Sequence, residues 1–436
     1  MSLKLDALRE AVARTPIAKI HGRVTQVLGP LLEADLPGAV LGSRCTVGRD
    51  RPCEVVGFRG ERALLVPLGS LVGVAHGDPV EVRDETLLVP VGEGLLGRVL
   101  DALGRPKDGG PAFSDTRMRP IQGRPRDPLR RDLIETPLAT GVKVIDGLMP
   151  VARGQRLSIT AGSGVGKSTL LGMLARWVEA DVVVACLVGE RGREVREFLE
   201  HSLGDEGRKR TVLVVSTSDE SPALQIKAPQ TASAIAEWFR DMGRDVLLLV
   251  DSLTRLAHAQ RQVGLAAGEP PTTRGYTPSV FALLPPLLER AGAGEGGGSI
   301  SAFYTILVEG DDEHDPIADA VRGIVDGHIV LSRSLASKGH YPAIDVLRSL
   351  SRVAHRVSDP AHHTDASRFR RLLATWEENE ELVRLGAYKR GASAEVDEAL
   401  ARHPAMVHWM QQTEDTKVDK AETLARLHGL LAAPLE

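Results

Sequence analysis

The chain has 436 residues, 42% hydrophobic and 26% charged, with a formal net charge of −4. That length exceeds a single compact core and suits two or three domains, while the balance of residues excludes a disordered chain and a strongly basic nucleic-acid binder. Cys45, Cys53 and Cys186 form no Cys-x-x-Cys pair and have no histidine at metal-ligand spacing, so free thiols in a reducing cytosol are expected. No run of about 18 apolar residues occurs, and Met1 to Thr15 carries charges every few residues in place of a secretory apolar block, so a cytoplasmic protein is expected.

In chain order, Leu3, Leu5, Leu8, Ala11 and Val12 fall on one face opposite Lys4, Arg9, Glu10 and Arg14, which predicts an amphipathic helix over residues 1–16 that Pro16 stops. Residues 17–88 hold short β-rich runs such as Gly22–Leu28, Cys53–Phe58 and Arg62–Pro67, separated by Gly and Pro, the pattern of a small antiparallel β-barrel. A Gly-, Pro- and Arg-rich linker without regular periodicity follows from Arg98 through Asp127-Pro128. From Arg156 apolar runs alternate with amphipathic helices: Leu157–Thr160, Val182–Val188, Val212–Ser216, Val246–Val250, Ile300–Val308 and His328–Leu331. Continuous β-branched runs between helices predict a parallel α/β sheet covered on both faces. After about Pro360 only helices are predicted, Ser367–Leu385, Ala394–His403 and Ala421–Leu431. The expected domains are therefore 1–16 (helix), 17–88 (barrel), 89–360 (α/β) and 361–436 (helical).

The segment Ala161-Gly-Ser-Gly-Val-Gly-Lys-Ser168 lies between a strand ending at Thr160 and a helix through Leu170, Leu171 and Leu174. That is the setting of a phosphate loop, in which backbone N–H groups turn inward around the phosphates and the helix N-terminus adds a favourable dipole. Gly162, Ser163, Gly164, Val165, Gly166, Lys167, Ser168 and Thr169 are the nucleotide-binding candidates; Lys167 is expected to bridge β- and γ-oxygens and the Ser168 hydroxyl to ligate Mg²⁺. Ala161 replaces the usual first glycine, which leaves the cradle glycines in place. The strand Leu247-Leu-Leu-Val-Asp251 delivers one carboxylate at its C-terminal end, where open parallel sheets bind ligands, and Asp251 is the candidate for the magnesium's water shell. The strand Asp181–Gly189 runs into Glu190-Arg191-Gly-Arg193-Glu194. Phosphoryl transfer needs an aligned water and dispersed charge, so Glu190 is the candidate base and Arg191 a candidate γ-phosphate contact. Arg193 and Glu194 are expected in helix-surface or intersubunit pairs.

These motifs resemble the RecA-like hexameric ATPases, the family that includes the rotary ATP synthase catalytic subunit and the type III export ATPases of flagella and injectisomes. The likeness runs from Gly22 to about Gln412. Asp251-Ser-Leu-Thr-Arg-Leu-Ala, Gly264-Leu-Ala-Ala-Gly-Glu-Pro-Pro, Gly275-Tyr-Thr-Pro-Ser-Val-Phe281, Val308-Glu-Gly-Asp-Asp312 and Gly339-His-Tyr-Pro-Ala-Ile-Asp-Val-Leu347 are similar to the export branch. Tyr276-Thr-Pro and Asp219-Glu-Ser-Pro favour its flagellar type.

The resemblance implies Mg²⁺-dependent hydrolysis of ATP to ADP and phosphate by a homohexamer that releases chaperones and hands substrates to an export gate. It implies that the Tyr341 ring stacks on adenine, with a core tyrosine as the alternative, and that Arg352 reaches the neighbouring subunit's site, with a surface ion pair as the alternative. The acidic cluster Glu309, Asp311, Asp312, Glu313, His314 and Asp315 could ligate a metal by residue type; the resemblance makes it a pore or stalk-contact loop instead, with Gly264–Gly275 facing the same channel. Implied partners are stalk, regulator and export-gate proteins and chaperone–cargo complexes. The implied location is the cytoplasm, with peripheral contact at the inner membrane's cytoplasmic face. The helical tail contacts chaperone–cargo complexes or simply caps the ring, and residues 414–436 receive no role.

Two other readings compete. A rotary synthase catalytic subunit has an acidic segment where this chain has Ala387-Tyr-Lys-Arg-Gly-Ala-Ser-Ala-Glu, and its non-catalytic counterpart lacks a glutamate at position 190. A hexameric RNA translocase needs a basic groove with stacking aromatics, whereas Gly22–Leu88 contains Phe58 as its only aromatic residue, so no nucleic-acid partner is expected.

Overall fold

The computed structural model describes residues 21–84, 86–123, 127–310, 312 and 314–434. The helix expected over residues 1–16, and Asp311 and Glu313 of the acidic cluster, lie outside the described residues.

Six antiparallel strands close into a barrel in the order His21–Leu28, Leu31–Asp35, Arg62–Pro67, Arg51–Arg59, Arg44–Val47, Pro79–Asp84. Closure leaves no unpaired strand edge. Alternate residues point inward, so Val24, Leu32, Ala34, Val47, Leu65 and Val80 fill the interior. Cys45 and Cys53 face each other across neighbouring strands as buried free thiols, and burial pushes them up to about 11 and about 12.

The central sheet has the strand order Ile344–Ser351, Gly327–Leu331, Arg156–Ala161, Ser299–Leu307, Asp245–Asp251, Val182–Glu190, Thr211–Thr217, Val99–Asp101. All neighbours along this path are parallel except the first pair. Both faces are covered, which is why its strands read as unbroken apolar runs. Val183, Ala185, Leu187, Leu247 and Leu249 join the core beneath the helix Lys167–Trp177. Val182, Val184, Val188, Val246, Leu248 and Val250 join the opposite core beneath Pro222–Asp241, Leu253–Ala267 and Pro278–Leu288.

The segment expected to be an irregular linker does more than connect. Val99–Asp101 adds the edge strand of the central sheet, and Arg117–Pro120 pairs with Leu88–Val91. Side-chain contacts rather than hydrophobic rhythm hold it. Arg98 pairs bidentately with Asp108, at 2.6 and 3.0 Å, and lies over the Phe113 ring. The sheet also gains antiparallel members, Ile344–Ser351 and the short Gly292–Ala293, where continuous parallel pairing was expected.

Three helices, Pro360–Arg384, Ala394–Met410 and Lys420–Ala432, end the chain. Their N-caps Asp359, Ser393 and Asp419 accept backbone N–H bonds of the first turns. The first begins seven residues before the expected Ser367, because Pro360 at its first position is pre-set for a helix and a polar first turn hides the start. Phe369 and Trp409 pack with ring centroids 5.4 Å apart and join the core beside the helix Lys167–Trp177.

Barrel and sheet are joined by a buried ion pair. Lys227 Nζ lies 2.8 and 2.6 Å from the two carboxylate oxygens of Glu54. Around it Leu31, Val66 and Leu68 of the barrel side pack on Ala223, Ala234 and Val263. Lys227→Ala strands the Glu54 carboxylate without its counter-charge and is expected to cost about 3–5 kcal/mol, whereas Lys227→Met combined with Glu54→Leu recovers most of that loss. Thermal denaturation checks this, and an unchanged midpoint in the single variant would contradict the pair's role as a joint.

Candidate active site

Three strand ends build the site. Arg156–Ala161 leads into the loop 162–166, and the helix Lys167–Trp177 starts directly after it. Gly164 and Gly166 adopt φ of +77° and +93°, a left-handed conformation that L side chains resist. Among the described residues no hydrogen bond is donated by the N–H groups of residues 162–166, so these donors remain for a ligand. Val165 points into the core and offers only its backbone, while Ser163 and Ser168 are exposed and Thr169 is half-buried.

Asp251 ends its strand, and Glu190 ends the strand beside it. Lys167 Nζ pairs with Asp251 Oδ1 and lies 3.5 Å from Glu190 Oε1. The Thr305 hydroxyl donates to Asp251 Oδ1 at 2.6 Å and holds that carboxylate in place. Both carboxylates are buried, 5% exposed each, which puts two anions within reach of one ammonium. Gly189 makes the bend before Glu190 at φ +67°, and a Cβ there would come within 2.9 Å of the Arg255 side chain. Arg255 in turn places Nη2 3.6 Å from Glu190 Oε2, and its buried Nε has no hydrogen-bond partner among the described residues.

Burial and a hydrogen bond shared with Glu194 push Glu190 up to about 7, against the pull of Lys167. Glu194 is held below the ordinary carboxylate range by that same bond. Both expected helix-surface pairs form, Glu194 3.9 Å from Arg191 and Arg193 3.3 Å from Glu197, and Glu194 also acts on Glu190.

A cavity of about 740 Å³ covers the loop, lined among others by Lys167, Ser168, Glu190, Arg191 and Arg255. Arg191 is largely exposed there and lies 3.9 Å from Glu194. Ser168 and Asp251 line an adjoining cleft of about 540 Å³. On the far side of the loop Tyr341 and Thr169 line a cleft of about 650 Å³. Tyr341 is 43% exposed and its ring lies against the loop, since a Cβ on Gly166 would sit 3.5 Å from it. Arg352 stands apart. It follows the strand Ile344–Ser351, is exposed, donates to the Arg322 carbonyl at 3.1 Å and lines none of these cavities.

Of the acidic cluster, Asp312 pairs with Arg274 and Asp315 caps the helix Pro316–Arg322. Among the described residues no group of three or more His, Cys, Asp or Glu is arranged to hold a metal. Sequence reasoning passed over Arg255 and Thr305. Arg255 was within reach, one helical turn past the strand-end Asp251; Thr305 sits inside an apolar run and only the sheet pairing brings it to the site.

Comparison with known proteins places this geometry. Residues 141–351 match the nucleotide-binding domain of the ATP synthase alpha/beta family, and residues 358–429 match the C-terminal domain of the type III secretion ATPase EscN. The flagellum-specific ATP synthase of Bacillus subtilis is 48% identical over 98% of this chain and 99% of its own. The type 3 secretion system ATPase of Xanthomonas euvesicatoria is 51% identical over 94% and 93%. The chain belongs to the family of flagellar and type III secretion ATPases. The structure of assembled EscN from enteropathogenic E. coli superimposes with a TM-score of 0.91, at 42% identity, over 94% of this chain and all of that one. EscN in complex with its central stalk EscO gives 0.87 at 41% identity over the same shares. This chain is therefore an ATPase with the barrel, parallel-sheet core and helical C-terminus of its relatives. The match to the type III secretion C-terminal domain favours the export branch over a rotary synthase subunit. Among the described residues no helix is long and apolar enough to cross a membrane.

A carboxyl group raised to about 7 makes the ATPase rate pH-dependent. With Glu190 as the candidate base, only its ionised form would accept a proton, and kcat/KM is expected to rise with pH through that value. Glu194→Gln removes the neighbouring anion and is expected to move the midpoint down. The shift between the two enzymes is independent of the substrate's own titration, and coincident pH profiles would contradict the coupling.

Proposed function

We propose that this ATPase energises protein export by a flagellar or injectisome type III apparatus, acting as a homohexameric ring that releases chaperones and passes substrates to an export gate. The observation that carries the reading is the Lys167 ammonium poised between Asp251 and Glu190 beneath a loop of unused N–H donors. Assembled EscN and its complex with a central stalk support the ring and a stalk partner.

In this reading ATP lays its β- and γ-phosphates along the N–H groups of residues 162–166, and Lys167 turns from the carboxylates to the phosphate oxygens. Glu190, released from that ammonium, aligns the attacking water and accepts its proton. Arg191 and Arg255 face the cavity where the γ-phosphate develops charge. Ser168 and Asp251 suit magnesium, because a hydroxyl and a carboxylate that line one cleft are hard oxygen donors, with Asp251 acting through water. When bound, the ion neutralises charge on the phosphate oxygens. Tyr341 stacks on the adenine from its exposed position against Gly166.

Arg352, which lines none of the cavities around the phosphate loop, serves the neighbouring subunit's site and makes hydrolysis depend on assembly. The ion pair between Arg274 and Asp312 joins the segment after the helix Leu253–Ala267 to the acidic cluster, which supports placing both on the channel that receives the stalk. The helical tail faces chaperone–cargo complexes, and a regulator and the export gate complete the partners. We place the protein in the cytoplasm, peripheral at the inner membrane. The proposed domain division is 1–16, 17–88, 89–360 and 361–436, supported by barrel strands that end at Asp84 and a long helix that starts at Pro360.

Glu190→Gln is expected to retain ATP binding and lower kcat by about 10²- to 10⁴-fold. Arg352→Ala is expected to lower kcat of assembled rings by about 10³- to 10⁵-fold with nucleotide affinity nearly intact. Steady-state turnover alongside equilibrium nucleotide binding reads both, and wild-type turnover in either variant removes that residue from the mechanism.

A further inference from the structure

One side chain ties the helical tail to the rim of the base cleft. Gln412 lies just past the helix Ala394–Met410 and is 8% exposed. Its Nε2 donates to the carbonyls of Gly141 at 2.8 Å and Thr416 at 2.7 Å, while its Oε1 accepts the Lys143 N–H at 2.8 Å. Both amide donors are thereby used, and a flipped amide would set its oxygen against two carbonyls and its NH₂ against an N–H, so the network fixes its orientation. The Lys143 bond also serves the helix Lys143–Leu148, whose N-cap Val142 has no side chain able to cap it.

The fourth bond points at the nucleotide. The Gln412 N–H donates to the Tyr341 carbonyl at 2.9 Å. Among the described residues the Tyr341 hydroxyl has no hydrogen-bond partner, so the ring's height above Gly166 depends on where its main chain is held. Gly141, at the other end of the network, packs on Trp177, the last residue of the phosphate-loop helix. Gln412 thus spans both walls of the cleft between Tyr341 and that helix, and it lines the cleft itself.

We propose that Gln412 is a positioning residue for ATP: it fixes the gap between the Tyr341 ring and the phosphate loop, and through it the C-terminal helices set the affinity for the base. The proposal rests on Tyr341 stacking against adenine. Because Gln412 reaches the base end and not Glu190, its loss removes binding shared by ground and transition states, which raises KM and spares kcat.

The test uses the full-length, assembled enzyme with magnesium. Gln412→Leu, which keeps the main-chain bond to Tyr341 but loses the three side-chain bonds that anchor it, is expected to raise the KM for ATP about tenfold, with kcat changed less than about twofold. Gln412→Glu, which sets a carboxylate against the Gly141 and Thr416 carbonyls, is expected to raise it at least as much. Inhibition by inorganic tripolyphosphate, which has no base, is expected to stay at the wild-type constant in both. In a Tyr341→Ala background Gln412→Leu is expected to add nothing. An unchanged KM in both variants, an equal loss of tripolyphosphate binding, full additivity with Tyr341→Ala, or failure of both variants to fold each overturns the proposal. Tyr341→Ala alone separates the two ideas: if it leaves the KM unchanged the stacking reading fails, whereas if it raises the KM and Gln412 variants do not, only the positioning role fails.

Discussion

The Lys167 ammonium between Asp251 and Glu190 is the interaction on which the rest of the site depends. Two carboxylates at the buried ends of parallel strands repel each other and lose hydration, and a cation held by the phosphate loop offsets both penalties. The same arrangement keeps the site ready for substrate, because triphosphate oxygens offer the ammonium a richer set of anions. On the proposed departure of Lys167, Glu190 would be left beside the cavity with Arg255 and Glu194 to set its charge state.

The sheet exists, in functional terms, to bring those groups to one edge. The strands ending at Ala161, Leu307, Asp251 and Glu190 are consecutive neighbours, so loop, hydroxyl support and both carboxylates emerge side by side. The joints to the flanking parts follow a similar logic. Lys227 with Glu54 fixes the barrel to one face, and the network around Gln412 fixes the helical tail to the other. The helix Leu253–Ala267 starts beside Asp251 and ends where Arg59 of the barrel donates to the Ala267 carbonyl at 3.2 Å. One rigid element therefore runs from the reaction site to the barrel.

Much of this was legible in the sequence because it is written as local pattern. The parallel strands appear as continuous runs such as Val182–Val188 since both sheet faces are buried, and the loop appears as glycines followed by Lys-Ser. What stayed hidden depends on tertiary contacts. Val99–Asp101 is too short to show a period and is held by Arg98 and Asp108, and Ile344–Ser351 looks like any half-buried strand until its antiparallel partner is known. Glu194 looks like a solvated helix residue, and only the turn after Gly189 brings it back to Glu190. Arg352 lines none of the cavities around the loop, and its proposed role turns on a second copy.

The central claim is that Lys167 leaves its carboxylates to grip a triphosphate. Equilibrium ATP binding to Lys167→Ala tests it most directly: with the ammonium gone the two carboxylates face the phosphates uncompensated, and the account predicts an affinity loss of at least about a hundredfold. ATP affinity equal to that of the wild type would contradict it.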